Sequence, residues 1–386
     1  MTKKGKNNTN IQIENRSTLL KYLKDNEGVC RKDLAEISGL TKATITNIVK
    51  DLINLNIIQE GPRNGNAISL KINDKDFLII SIVFRRGKIK HGVTNLKGKF
   101  LEKNEIKLKL DEPVKKVIKK LNNIVDNYLD RYSTLFKIVG LGLALPGPIN
   151  LKKGEITHLT NLPGWDTVKF QDFFDDKYEF PIIVDEVANA TVYAEKWFGK
   201  AKNYKNFLSL IVSKGVGSGI MADNNIYHGE KGFAGEIGHM SINFDGPKCE
   251  CGNNGCLEMY CSTLILIEKI NSLLGNGKIK NLDEISKYLK NKEVVALIKN
   301  NGKKLGYGLI NLINVFNPKF IIIHSDMKMF GDLWLSEIRK VIKERSNPTV
   351  SCLPEIEYSD IDTPTLLGSS AMVANHIMEN PDDKYF

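Results

Sequence analysis

Apolar residues near the start of the chain recur every three or four positions and then switch to strict alternation, a change from helical to strand periodicity. Leu19, Leu20 and Leu23 give a first helix one apolar face. A second helix is predicted over Arg31–Ser38 with Leu34, Ala35 and Ile37 turned inward; Gly39 supplies a sharp turn and Leu40 plugs it. Thr41 stands where a cap is needed for a third helix, on which Ile45, Ile48, Val49 and Leu52 share a face. Ile57–Glu60 and Ala67–Leu70 then read as two strands around Gly61–Asn66. Three helices and a hairpin with a basic tip predict a winged helix-turn-helix over residues 1–75.

Beyond Asn73 the pattern becomes α/β. Strands are predicted at Phe77–Phe84, Ile89–Asn95, Lys137–Leu145, Ile182–Asp185, Phe207–Ser213, Gly219–Ala222 and Phe320–His324, and helices at Val114–Tyr132 and Ala188–Phe198. From Leu264 onward the chain reads as mostly helical.

Hydrophobic residues make up 42% of the 386 and charged residues 26%, which excludes a disordered or fibrous chain. No apolar run approaches the ~18 residues that span a bilayer. The lysine-rich start has no apolar segment behind it, so a cytoplasmic protein without membrane partners is expected. The net charge is +10, half of it within residues 1–75, which favours an anionic partner, nucleic acid first.

Base readout by such a head needs polar side chains on the outer face of the third helix. Those are Lys42, Thr44, Thr46, Asn47 and Lys50. Asn47 suits an adenine edge, Thr44 or Thr46 a thymine methyl, and the two lysines phosphates; Arg63 at the hairpin tip suits a narrow A·T-rich minor groove. The expected partner is double-stranded DNA with an A·T-rich operator.

Four of the six cysteines, Cys249, Cys251, Cys256 and Cys261, crowd together. His239-x9-Cys249-x-Cys251-x4-Cys256 is the ligand set of a closed structural Zn²⁺ site, with Cys261 left over as a core thiol.

Gly235-Glu236-Ile237-Gly238-His239 followed by Cys249-x-Cys251-Gly252-x2-Gly255-Cys256-Leu257-Glu258 resembles the signature of the ROK family of repressors, open reading frames and sugar kinases. Leu145–Pro148, Asn161–Trp165, Gly215–Gly219, Asn311–Pro318 and Gly368–Ala371 agree with it, so the resemblance covers essentially the whole chain. With its winged-helix head the chain is similar to the family's sugar-responsive repressors, of the xylose-repressor and N-acetylglucosamine-repressor kind. The resemblance implies a two-lobed actin-like (ribonuclease-H-like, ASKHA) α/β body with a cleft, a zinc site, and a homodimer or higher homo-oligomer, whose two-fold symmetry a palindromic operator would match. The domains then run 1–75, 76–190 for the smaller lobe and 191–386 for the larger, with the last helix, about 368–386, returning to the smaller lobe.

The family's kinases carry an Asp-x-Gly-Gly-Thr phosphate turn, a general-base Asp in Asn-Asp-x-Asn, and a Gly-Gly pair at the adenosine end of the nucleotide. The corresponding residues are Ser81–Arg85, Glu186-Val187 in Val184–Asn189, and His324-Ser325. Valine accepts no proton, and phosphoryl transfer depends almost wholly on such positioned groups, so no catalytic residue is expected. The family's sugar contacts map onto Glu186, Glu236, His239 and Glu258, an effector set for a sugar or sugar phosphate. The expectation is a DNA-binding repressor with a non-catalytic body; the alternative is a sugar kinase with an accessory DNA-binding head.

Overall fold

The computed structural model describes residues 8–26, 28–65, 67–157, 164–165, 168–174, 177–275, 277–346 and 353–381. Asn161–Pro163, part of one family motif, lie outside them. The head begins with α1 (Asn8–Asp25), α2 (Arg31–Ser38) and α3 (Lys42–Asn54), followed by the hairpin of β1 (Ile58–Asn64) and β2 (Ala67–Ile72). Gly39 closes α2 in the left-handed conformation at φ 68°, donating its N–H to the Ala35 carbonyl, and the Thr41 hydroxyl accepts from the Thr44 N–H at 3.2 Å. Ile45, Ile48, Val49 and Leu52 are all buried. Ile37 is not: α2 buries Leu34 alone, and Ile37 on its last turn is 51% exposed. The wing also differs in detail. β1 shifts register between Glu60 and Arg63, so Arg63 sits within the strand opposite Ile68 and one pair short of the turn. Asp76, just beyond the head, accepts from Asn56 Nδ2 at 2.7 Å and Asn73 Nδ2 at 2.9 Å and so anchors the segment after β2 to the end of α3.

Next come β3 (Phe77–Arg85), β4 (Lys88–Asn95), β5 (Phe100–Lys107), α4 (Val114–Tyr132), β6 (Lys137–Leu145), the short pair β7 (Ile149–Asn150) and β8 (Glu155–Ile156), α5 (Gln171–Phe174) and β9 (Ile182–Glu186). The chain continues through α6 (Val187–Trp197), β10 (Phe207–Val212), β11 (Val216–Ala222), β12 (Asn225–Ile226), α7 (Glu258–Cys261), α8 (Thr263–Leu274), α9 (Leu282–Ile285) and α10 (Lys292–Phe316). It ends with β13 (Phe320–His324), α11 (Asp332–Arg345), β14 (Glu355–Tyr358) and α12 (Pro364–Glu379).

These elements form two compact units. One comprises Met1–Ala144, Phe170–Val184 and Ser369–Phe386; the other comprises Leu145–Lys169 and Asp185–Gly368. The first unit holds the sheet β5-β4-β3-β6-β9 and the second the sheet β12-β11-β10-β13-β14. Each sheet is an antiparallel meander whose first strand also pairs in parallel with the next strand along the chain, β3 with β6 and β10 with β13. The same strand order twice is the repeated layout of an actin-like two-sheet body. In the first unit the glycines of β6 have a steric reason: a Cβ on Gly142 would lie 1.9 Å from the Ser369 carbonyl, and one on Gly140 2.4 Å from Val373, so α12 rests directly on the strand. In the second unit α10 and α11 cover β10 and β13 through Leu305, Leu309, Trp334 and Ile338, all buried. No helix among the described residues is long and apolar enough to cross a membrane.

Candidate DNA-reading face and metal centre

On α3 the side chains predicted to meet DNA divide by their neighbours. Lys42, Thr46, Asn47 and Lys50 are exposed, as is Arg63 on β1. The Thr44 hydroxyl lies 2.9 Å from that of Thr41 and belongs to the cap, and the Thr46 hydroxyl donates to the Lys42 carbonyl at 2.8 Å. Both threonines therefore offer methyl groups outward more readily than hydroxyls, while Asn47 and the two lysines keep their polar atoms free of bonds within the helix.

The second site is built on the loop after β12. Gly235 has φ 102°, a conformation that favours glycine, and a Cβ there would lie 2.0 Å from the Ser218 carbonyl. A Cβ on Gly238 would lie 2.1 Å from the Val216 carbonyl. The two glycines thus let Gly235–His239 lie flush on β11, which aims Glu236 and His239 to one side. The cysteine loop turns back by its own backbone bonds: the Cys249 N–H donates to the Asn253 carbonyl at 2.8 Å and the Gly252 N–H to the Cys249 carbonyl at 3.0 Å.

Three thiols and an imidazole converge here. The Cys251 and Cys256 sulfurs are 3.6 Å apart, Cys249 Sγ is 3.7 Å from His239 Nδ1, and one donor atom from each of the four residues lies within 4.8 Å of the others. Around a tetrahedral ion with sulfur arms of about 2.3 Å and a nitrogen arm of about 2.1 Å, those separations are about 3.8 and 3.6 Å. The donor set therefore fits a metal ion. Cys261 is excluded from it: the thiol is fully buried and donates to the Leu257 carbonyl at 3.2 Å, and burial holds its pKa well above the usual thiol range.

The effector candidates lie around this loop. Glu258 Oε1 is 3.3 Å from His239 Nδ1 and 3.1 Å from Cys249 Sγ, which sets that carboxylate against the cluster. The opposite ring nitrogen, His239 Nε2, is 4.0 Å from Glu236 Oε2. Burial, with Glu258 adding and His239 opposing, raises the Glu236 carboxyl. Glu186 is 6% exposed; its Oε1 accepts the Ile149 N–H at 3.0 Å, and the carboxyl fills the space a Cβ on Gly147 would need. Burial, then the charge of Glu236, pushes it up to about 8.

One participant was missed. His228 Nε2 lies 2.9 Å from Asp185 Oδ2, while Asp185 Oδ1 accepts from the Glu186 N–H and from Asn189 Nδ2. Burial opposes protonation of His228, but the bond to Asp185 and that residue's charge together outweigh it and raise the pKa. The only hint in the sequence was a histidine in a glycine-rich stretch, which does not by itself indicate a partner.

Three residues that the resemblance sets against the kinases' catalytic groups are buried in this fold, and Ser81 Oγ and His324 Nδ1 have no hydrogen-bond partner among the described residues. Ser81 lies within β3, Val187 opens α6, and buried His324 ends β13 with Nε2 2.9 Å from the Ser209 hydroxyl. Burial pushes His324 down to about 3, so it is a neutral ring.

The ROK family model matches residues 80–376, and a winged helix-turn-helix DNA-binding model matches residues 14–59. The xylose repressor of Caldicellulosiruptor bescii is 31% identical over 97% of this chain and 99% of its own length. A glucokinase of Halalkalibacterium halodurans is also 31% identical, but over 55% of this chain and 69% of its own. Among solved structures, a ROK family transcriptional regulator described as a homologue of the Escherichia coli Mlc protein superposes with a TM-score of 0.84 at 23% identity, covering 96% of this chain and 97% of that one.

Proposed function

The chain belongs to the ROK family, and on that footing we propose that it is a DNA-binding transcriptional repressor whose body responds to a sugar and transfers no phosphoryl group. The observation that carries this reading is the head: a capped recognition helix with Lys42, Asn47 and Lys50 exposed, in a chain that aligns with a xylose repressor over 97% of its length. The glucokinase likeness covers only 55% of the chain. Against catalysis stand Val187 in place of the proton acceptor, the lack of glycine and acid over Ser81–Arg85, and His324-Ser325 in place of the glycine pair. Two copies of the head related by a two-fold axis would meet half-sites about 34 Å apart or a multiple of it.

D-xylose, the sugar in the name of the Caldicellulosiruptor relative, is the first effector to try. Glu236 and His239 Nε2 supply an acceptor and a second polar atom for its hydroxyls. Glu258 and Glu186 have carboxyl oxygens engaged by their own surroundings, so they shape the site more than they grip a ligand. The metal is zinc on the chemistry of its donors, held by His239, Cys249, Cys251 and Cys256 with no open position. It would fasten the loop that carries Glu236 to the one that carries Glu258. Metal analysis of the purified protein should find about one zinc per chain, and chelation should lower its melting temperature. DNase protection of the upstream duplex, with and without D-xylose, tests the repressor reading. A protected region that D-xylose releases supports it, and ATP-dependent phosphorylation of D-xylose would refute it.

A further inference from the structure

Lys299 and Lys303 on α10 both have Glu337 as a counter-ion, at 4.0 and 3.8 Å, and Lys340 on α11 has Glu344. Three cations on the same helices and on α8 have none. Lys269, Lys304 and Arg345 make no ion pair among the described residues; what each meets is a tyrosine ring. Lys269 Nζ and Lys304 Nζ stand 5.9 and 5.4 Å from the centre of the Tyr260 ring. Lys304 Nζ and Arg345 Cζ stand 5.9 and 5.7 Å from that of Tyr307. Cation, ring, cation, ring and cation succeed one another in a row that crosses α8, α7, α10 and the end of α11.

A row of like charges without counter-ions carries repulsion. Lys269 shows it: burial first, then the neighbouring Lys304, lowers the pKa of its ammonium group. The rings disperse some of this positive charge but do not neutralise it. We propose that this row is a docking surface for an acidic polypeptide segment of a partner protein, whose carboxylates bridge Lys269, Lys304 and Arg345.

Two features favour a polypeptide over nucleic acid. Single-stranded nucleic acid binds such rows by stacking bases on open aromatic faces, and here each ring already has cations against it. A bulky exposed apolar residue also follows directly on one that touches the row. Asn243 Nδ2 donates to the Tyr260 hydroxyl at 3.3 Å, and the next residue, Phe244, is 83% exposed, the kind of side chain that protein partners bury. The surface is coupled to the metal loop as well. The Tyr260 hydroxyl lies where a Cβ on Gly246 would be, three residues before Cys249, and Tyr260 shares α7 with Glu258. A segment docked here presses on the loop that orders the effector site, which gives a partner a route to DNA affinity that needs no sugar.

A fluorescein-labelled dodecaglutamate peptide is the probe, with anisotropy as the readout and carbodiimide coupling to locate it on the full chain. The wild type should bind it, and Lys269→Gln/Lys304→Gln/Arg345→Gln should weaken binding by about tenfold, three charges at roughly 0.5 kcal/mol each. Lys269→Arg/Lys304→Arg, which keeps the charge, should bind as the wild type does. Lys42→Gln/Lys50→Gln in the head should leave the interaction intact, and coupled peptide should map to Lys269 and Lys304. Equal binding by the triple and wild-type proteins, or coupling scattered over other lysines, would overturn the proposal. So would protection of Lys269 and Lys304 from amine labelling by DNA but not by the peptide. Should the triple variant lose its fold, exposed Lys269→Gln alone, at about a twofold loss, decides the same question.

Discussion

Glu186 stands where the resemblance puts an asparagine of the family's sugar site, and its surroundings in the fold say how its carboxyl is held. The carboxyl is turned onto the Ile149 N–H and the Gly147 surface, near a second carboxylate, Glu236, that disfavours its charge. In the unfolded chain it would ionise near pH ~4.3. In the fold it does so at about 8. The folded state therefore holds a proton that the unfolded state has lost between those values, and stability falls as pH rises through that window. Glu186→Gln removes the penalty while keeping an acceptor for Ile149. Thermal unfolding should show the variant and the wild type alike near pH 4 and the variant more stable by a few kcal/mol at pH 8.5. Parallel curves would contradict the assignment. The substitution was legible in the sequence; the turn of the carboxyl toward a residue 37 positions away was not, because no local pattern encodes a contact at that separation. The same holds for His228 and Asp185. On the face proposed to read DNA, Asn47→Ala should cost about 1–3 kcal/mol for one base pair over its alternatives. Lys50→Ala should weaken all duplexes alike and reduce the salt slope by about one. Comparing the two variants on native and single-substituted duplexes separates the roles.

At the scale of elements, what the sequence announced clearly was what local physics decides. The four apolar positions of α3, its Thr41 cap and the bounds of α2, α4 and β6 come from periodicity and capping alone. β14 was missed because only Ile356 of its four residues is buried, so Glu355–Tyr358 has no run of apolar positions to betray it. It becomes a strand by pairing in parallel with β13. The extent of β1 was missed for a related reason: Gly61 and Pro62 read as a turn, yet the register shift carries the strand past them and draws Arg63 back from the tip. The Gly235–His239 motif was recognisable as letters, whereas the reason for its glycines is tertiary. A methyl at Gly238 has no room against the Val216 carbonyl. Gly238→Ala should therefore lower both the melting temperature and the metal content, the first read by calorimetry and the second by elemental analysis. A variant with full metal content and unchanged stability would show that the loop is held by something other than its fit on β11.

For the whole molecule, two sheets of the same strand order are joined in one chain to a head whose chemistry is independent of theirs. The residues that the family resemblance sets at the kinases' catalytic positions, Ser81, Val187 and His324, are buried side chains here, and the two-sheet architecture is complete around them. The head's surplus of positive charge attracts any duplex, so affinity alone does not establish a regulator. The decisive measurement is a fluorescence anisotropy titration of the full chain, at two salt concentrations, against duplex from its own upstream region and a scrambled duplex of equal length. A sequence-reading repressor binds the native duplex more tightly, and the preference survives the higher salt while non-specific binding collapses. Equal binding to both duplexes, falling steeply together as salt rises, would contradict the repressor assignment.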